Sequence, residues 1–454
     1  MGRRMLGPIA ALALLLGCAP AAAQAAGVED PALQWLPRTD GAEWVYAWSN
    51  STYSPTPRRE RYRVTARRGT SFRVSWSEID LRADEAPGAG FADFNHTDAG
   101  LVNTHYQSTQ APPQFPLLCA SATQCGNSLA GTYYLMFWGT RSPVVAEPLV
   151  AGTRWNAIGG ASNEVASANR YAGRETIAVP AFPGGVETAR VESDVSHTGA
   201  LGDPFGSGSR TVWWAYGVGP VRVVLRHAGG ETSVSELQST TLAPQALPSD
   251  ENLMPLGEGR RASFRWRNNK HMRRWSRQRF TVERVVNNTS RVEVRQLSGP
   301  LAANGTYVFA SRLSGVRRLS SRISRGSDDV DFPRLGPTRG APWRFLTPYD
   351  LMTYGFNPVI PAYPERGMSW RSSRDNPDWS TFGVVGVSRV IGRRTVRTRA
   401  GRFRRALVVR SDLRQPGRRF GTGECTMWFA PGRGLVKLVF RHDDGSVSTV
   451  ERIP

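Results

Sequence analysis

The sequence predicts a mainly β protein built as two tandem homologous antiparallel sheets, each with a short helix or lid. Three observations predict it. The stretch Trp428-Phe429-Ala430-Pro431-Gly432-Arg433-Gly434-Leu435-Val436-Lys437 has a second copy at Trp213-Trp214-Ala215-Tyr216-Gly217-Val218-Gly219-Pro220-Val221-Arg222, and both copies end on Arg-His, at Arg226-His227 and Arg441-His442. Short aromatic and β-branched runs alternate apolar with polar residues and are separated by Gly, Pro and Asn turns. Landmarks of the first half recur in the second at offsets that drift only from 218 to 215.

The first 26 residues read as an export signal, with Arg3 and Arg4, an apolar run Ile9 to Leu16 and small residues at Ala21 to Ala26. Within it Leu15-Leu16-Gly17-Cys18 resembles a bacterial lipobox, in which Cys18 would be lipidated. Ordinary cleavage after Ala23 or Ala25 would instead remove that cysteine. No later stretch is apolar for long enough to span a bilayer as a helix. The expected location is therefore outside the cytoplasm, secreted or held as a cell-envelope lipoprotein.

Residues 27–240 form the first repeat, 241–253 a Pro-rich linker without periodicity, and 254–454 the second repeat. In the first repeat Pro37 and Gly41 precede Trp44, Tyr46 and Trp48, which alternate on one strand, and Pro255, Gly259, Phe264 and Trp266 come 218 positions after Pro37, Gly41, Tyr46 and Trp48. Phe72, Val74 and Trp76 alternate with Arg73, Ser75 and Ser77, the mark of a sheet with one buried and one wet face. Tyr133 to Gly139 matches Tyr349 to Gly355 at an offset of 216, and Thr347-Pro348 makes a capped start, so this element is the short helix. Gly152-Thr153-Arg154-Trp155 then matches Gly367-Met368-Ser369-Trp370 at 215. The late runs Ala406–Val409 and, but for Lys437, Leu435–Phe440 are apolar throughout, which places them with both faces covered.

The net charge of +21 comes from one half: residues 27–240 hold 17 Lys+Arg and 20 Asp+Glu, net −3, whereas residues 254–454 hold 39 and 15, net +24. Only Lys270 and Lys437 are lysines. Cys119 and Cys125 close a small loop that an oxidising compartment would permit as a disulfide, leaving Cys425 without an obvious partner.

The order Gly-x-x-Trp, a strand ending at Ala400-Gly401-Arg402-Phe403, then Trp428 to Lys437, resembles the TapB-like group of exported bacterial domains of unknown function. That group is similar to the half-barrel lipoproteins exemplified by the LolA and LppX carriers. The resemblance covers about the last 90 residues of each copy, and Tyr216 and Pro220 depart from it in the first. It implies a curved, half-barrel-like sheet wrapped round a helix or lid, with a cleft for an acyl chain, and carries over no catalytic residue.

Six recurring tryptophans, Trp48 with Trp266, Trp155 with Trp370 and Trp213 with Trp428, belong either to the cores or to a ligand-lined cleft on the concave faces. Two arginine runs, containing Arg273, Arg274 and Arg277, and Arg397, Arg399 and Arg404, would give one sheet face a field suited to phosphate, headgroups or acidic glycans; a solvated face is the plainer reading. The six histidines show no metal-ligand spacing, and Asp328-Asp329-Val330-Asp331 lacks the Gly and distal Glu of a calcium loop, so no metal and no cofactor is expected. His227 and His442 precede Gly turns and read as structural. No nucleophile elbow, phosphate loop or dinucleotide fingerprint is present.

The first reading is a non-enzymatic exported binding or carrier protein for a hydrophobic or lipid-like ligand. The second is a structural or adhesive module whose basic half holds an anionic envelope polymer. A hydrolase is the third, since catalytic triads need not be local in sequence. Nucleic acid is not an expected partner, and a membrane would be met only through a lipid anchor.

Overall fold

The protein's structure, a computed structural model, describes residues 35–81, 88–97, 99–108, 131–159, 165–197, 205–286, 288–312, 314–325, 330, 332–335, 344–355, 358–371 and 383–454. The export signal with Cys18, the Cys119/Cys125 loop, and Asp328, Asp329 and Asp331 lie outside these residues. Among those described, no helix is long and apolar enough to cross a membrane.

The chain forms a 12-stranded and an 11-stranded antiparallel sheet with the same route through each. In the first, β1 (Glu43–Asn50), β2 (Ser54–Arg68), β3 (Ser71–Ile79), β4 (Ala89–Thr97) and β5 (Gly100–Ser108) step outward from the middle. Helix α1 (Thr132–Phe137) follows, then β6 (Val145–Ala146) at that edge. From the opposite edge β7 (Arg154–Gly159), β8 (Val165–Val179), β9 (Phe182–His197), β10 (Gly208–Ala215), β11 (Gly219–His227) and β12 (Thr232–Thr240) step inward, until β12 pairs with β1. In the second, β13 (Arg261–Asn268), β14 (Met272–Val286), β15 (Thr289–Ser298), β16 (Ala303–Arg312) and β17 (Gly315–Arg325) step outward before α2 (Pro348–Thr353). The return runs through β18 (Ser369–Arg371), β19 (Val385–Thr398), β20 (Gly401–Arg414), β21 (Gly423–Ala430), β22 (Gly434–His442) and β23 (Val447–Ile453), which pairs with β13.

The period-two pattern sets which face is buried: Phe72, Val74 and Trp76 of β3 point inward. Both helices are buried along their whole length against that face. Tyr133 stacks on Tyr62 with centroids 4.2 Å apart, and Tyr349 meets Phe280 at 4.0 Å. After each helix the chain straps the two sheet edges together. In the first sheet Val144 N donates to the Leu101 carbonyl at 2.7 Å on one edge, while Trp155 Nε1 on the other donates to the Pro143 carbonyl at 3.1 Å. In the second, Val359 N donates to Val316 O at 2.8 Å and Trp370 Nε1 to Pro358 O at 3.1 Å. Each sheet is therefore curled around its helix, as a half-barrel is.

The long hairpins β8–β9 and β19–β20 fold back over the outer face, where Ala181 N donates to Leu237 O at 3.1 Å and Ala400 N to Arg452 O at 3.2 Å. Beneath the second hairpin Val396, Ala406, Ala430 and Val436 make a small separate core with Phe403 and Trp428 packed on it. This cover buries Ala406 to Val409 on both faces, as their apolar run predicts. In Leu435–Phe440, Lys437 and Val439 stay half-buried.

Candidate functional site: the groove between the sheets

The concave faces hold little free room, because helix and aromatic side chains fill them. Trp48 and Trp266 are sealed in the two cores, Trp266 stacked on Phe332 at 5.4 Å. Trp155 and Trp370 are the edge clamps. Trp213 and Trp428 lie on the outer face, not the concave one, because the inward phase of β10 and β21 is taken by Trp214 and Phe429. Each is covered by its long hairpin: Trp213 Nε1 donates to Glu175 Oε2 at 3.0 Å, and Trp428 packs on the small core that Val396 and Ala406 of the second hairpin help to form. The six tryptophans thus serve three packing roles and do not line one cleft.

The largest described space with lining from both halves lies between the sheets. Three consecutive residues at the end of the linker set its width. The Asp250 carboxylate accepts from Tyr171 OH at 3.0 Å on the first sheet, and Glu251 pairs with Arg393 at 2.5 Å on the second. Asn252 joins both, its Nδ2 donating to Ala151 O at 3.0 Å and its carbonyl accepting from Gly432 N at 2.7 Å. A second clamp crosses at Tyr363, whose buried hydroxyl donates to Glu147 Oε2 at 2.5 Å and accepts from Leu149 N at 2.9 Å. Between these ties is a groove of about 520 Å³, within the range of small-molecule sites. Val150 and Trp155 line one wall, Leu253, Met254 and Leu256 the floor, and Val285, Val286, Val316 and Ile360 the other wall. Some of its polar groups are engaged, Thr153 Oγ1 donating to Pro148 O at 2.9 Å and Ser290 Oγ to Leu256 O at 2.9 Å, while Arg154, Asn156 and Glu258 also line it. Such a surface sets apolar walls beside polar and charged side chains.

Elsewhere the titratable groups are tied into the fold. His227 Nδ1 donates to Phe205 O at 2.5 Å and its Nε2 accepts from Ser233 Oγ at 2.8 Å; His442 repeats this with Phe420 O at 2.6 Å and Ser448 Oγ at 2.9 Å. Each serine also accepts from an asparagine, Asn50 at 2.9 Å and Asn268 at 3.1 Å. Burial holds His442 down at about 4, so it stays a neutral strut near pH 7. Among the described residues no group of three His, Cys, Asp or Glu could hold a metal. Cys425 is a free thiol that burial pushes well up.

One buried carboxyl escapes a reading by motif. Glu60 of β2 caps α1 from outside, its Oε2 accepting from Thr132 N and Thr132 Oγ1, both at 3.0 Å, and from Tyr62 OH at 2.8 Å. The second copy reverses the arrangement. Helix residue Asp350 closes a capping box with Thr347 and accepts from Tyr307 OH at 2.6 Å, while the sheet position is Gln278, donating to Leu346 O at 3.0 Å. The signals were available in the sequence: Glu60 shares the inward phase with Tyr62 and Val64, and Gln278 answers it at the 218 offset.

Burial pushes the Glu60 carboxyl up from 4.5 to about 7, against the pull of its three donors. A carboxyl raised on folding binds more protons folded than unfolded, so stability falls as pH rises from about 4.5 to about 7. Glu60→Gln removes that slope and keeps an acceptor for Thr132. The expected result is a variant that gains on the order of 3 kcal/mol relative to wild type between pH 4 and pH 8. Urea melts at the two pH values check it, and a pH-independent difference overturns it. Asp350, raised in the same direction, is common to both proteins and cancels.

The arginine runs separate in space. Arg273, Arg274 and Arg277 are exposed on β14; Arg397, Arg399 and Arg404 are exposed at the end of the β19–β20 hairpin. Four strands lie between β14 and β20 in the sheet order. Trp275, within the first run, has the guanidiniums of Arg265 and Arg267 at 4.1 and 4.7 Å from its ring.

No family model and no curated protein matches the chain. The TapB-like and LolA/LppX resemblance therefore rests on the motif residues alone. Among solved structures, a candidate lipoprotein of Parabacteroides distasonis is 12% identical, with 46% of this chain and 98% of that chain covered and a TM-score of 0.24. The hypothetical lipoprotein YmcC of Escherichia coli is 14% identical over 48% of this chain and 91% of that one, TM-score 0.22. A Bacteroides fragilis protein described as a candidate exported protein with a YmcC-like fold is 12% identical over 45% and 96%, TM-score 0.23. At low identity, the chain is thus similar over about half its length to proteins described as exported or as lipoproteins.

Proposed function

We propose that the protein is a non-enzymatic, exported binding or carrier protein of the bacterial cell envelope that takes a hydrophobic or lipid-like ligand in the groove between its sheets. The observation that carries this reading is the groove itself, with apolar side chains on both walls and the floor, built from both halves and held open by Asp250, Glu251, Asn252 and Tyr363. The filled concave faces move the ligand away from where the half-barrel resemblance would put it. The wall hydroxyls bonded to backbone carbonyls support binding over catalysis.

Two measurements test it: organic extraction of the purified protein followed by lipid analysis, and titration with a fluorescent fatty acid. Val286 lines the groove and is 46% exposed, so Val286→Asp puts a charge in the wall without opening a core. The variant is expected to bind the probe at least about tenfold more weakly at unchanged melting temperature. An extract free of lipid together with equal binding by both proteins overturns the proposal.

A further inference from the structure

The strand registers of the two sheets correspond closely enough to compare them residue by residue. Val191 faces Val212 as Val409 faces Met427, and the irregularity between Tyr171 and Gly173 recurs between Val390 and Gly392. On this frame Glu43, Glu175, Glu187 and Glu192 of the first sheet become Arg261, Arg394, Arg405 and Arg410 of the second. All four acids serve ion pairs in the first sheet: Glu43 with Arg63 at 2.5 Å, Glu175 with Arg190 at 3.1 Å, Glu187 with Arg174 at 3.2 Å, and Glu192 with Arg170. Part of the excess charge of the second half therefore falls where the first half holds ion-paired acids. At these positions the partner of an arginine has been replaced by another arginine or its equivalent pair dissolved, and Arg389 now stands directly opposite Arg410.

The effect is greatest at the end of the β19–β20 hairpin. Residues 393–405 carry seven arginines and no acid, where the matching residues 174–187 of the first sheet carry Arg174, Glu175 and Glu187. Arg394, Arg397, Arg399, Arg402, Arg404 and Arg405 are all exposed. Arg397 faces Arg402 across the hairpin, an arrangement that like-charge repulsion disfavours. Arg405 also holds a φ of 55°, a left-handed conformation rare outside glycine, asparagine and aspartate. The acid that reaches this segment is Glu251, at 2.5 Å from Arg393 and 3.9 Å from Arg405; the other five have no ion pair among the described residues.

We propose that this hairpin end is a docking element for an anionic phospholipid bilayer surface. The charges surround a turn and its two strands instead of lining a walled channel. The one aromatic ring among them, Phe403, packs inward on the core formed by Val396, Ala406, Ala430 and Val436, so it offers no platform for stacking a sugar or base. A cluster of long, exposed cationic side chains around a turn that lies against β23 fits a plane of phosphate headgroups, which guanidinium groups bind bidentately. The hairpin meets the groove's lining at Glu251, through Arg393 and Arg405, but Arg397, Arg402 and Arg404 are not part of that lining, and the inference stands whether or not the groove binds lipid.

The test uses the purified chain from Gly27 onward, which keeps every described residue and carries no acyl group. It is sedimented with vesicles of phosphatidylcholine alone and of phosphatidylcholine mixed with phosphatidylglycerol. Binding is expected only to the mixed vesicles and to weaken steeply with salt. The R397Q/R402Q/R404Q variant should bind about a hundredfold more weakly. R397K/R402K/R404K, which keeps the charge, should stay within about tenfold of wild type. R273Q/R274Q/R277Q on β14, with the same change in net charge, should stay close to wild type. Equal loss in both glutamine triples would mean a diffuse field, and would overturn the proposal. So would failure to bind mixed vesicles while soluble polyphosphate is bound. Val286→Asp should leave vesicle binding unchanged, which separates this result from that of the groove.

Discussion

Replacing Gly423 with alanine is expected to destabilise the second sheet by about 3 kcal/mol or more. Gly423 pairs directly with His442 at the start of β21. Its φ is 139°, which an L side chain rarely adopts, and an added Cβ would lie 2.0 Å from the Arg441 carbonyl oxygen. That oxygen belongs to the backbone of a paired strand and cannot step aside without breaking the ladder. Gly208 is in the same position against Arg226 O, also at 2.0 Å and with φ 149°. The two Arg-His endings of the repeat are thus matched by two glycines across the register. A thermal melt of Gly423→Ala checks the prediction, and a melting temperature within 2 °C of wild type would refute it.

The second large effect is expected at Arg210, the cation buried at the carbonyl end of α1. It donates to Leu135 O at 3.2 Å, Trp138 O at 2.6 Å and Ser193 Oγ at 3.3 Å, and also to Thr140 Oγ1. Burial holds its guanidinium down at about 9, still charged at neutral pH, and the negative end of the helix offsets part of that desolvation. Among the described residues it has no carboxylate partner. Arg210→Met fills most of the volume but takes a donor from four buried oxygens, of which Trp138 O keeps Thr140 Oγ1 at 3.3 Å and Thr140 Oγ1 keeps Ser167 Oγ at 3.0 Å, so a loss of about 3 kcal/mol is expected. Urea denaturation would measure it. The second sheet places Cys425 at the corresponding position. The buried cation is therefore one solution to ending this helix, not a requirement of the fold. A loss below 1 kcal/mol would show that the acceptors find other donors.

These two sites mark where reading the sequence succeeds and where it stops. The repeat, the capped start at Thr347-Pro348 and the alternation of β3 were legible because each is a short-range pattern. The tryptophan pairs were legible as recurring positions, but not as roles. What separates Trp155 from Trp213 is a carbonyl at Pro143 in one case and a hairpin folded over the outer face in the other. The groove was illegible because its walls come from five separate stretches, around residues 150, 254, 286, 316 and 360, and no periodicity joins them. The arginine runs stood out at once, whereas their meaning depended on register: only the paired strands reveal that Glu175 and Arg394, or Glu192 and Arg410, are counterparts.

The route of the chain through each sheet has a consequence for how the protein is made. β1 and β13 emerge first in their sheets yet sit in the middle, each beside the strand that emerges last. Until that strand arrives, a long central edge stands open with unpaired amides and carbonyls, a template for pairing with a neighbouring chain. Such a polypeptide gains from being delivered slowly and kept apart from its siblings, and truncation near Val447 should yield aggregates from the second half while the first, complete at Thr240, still folds.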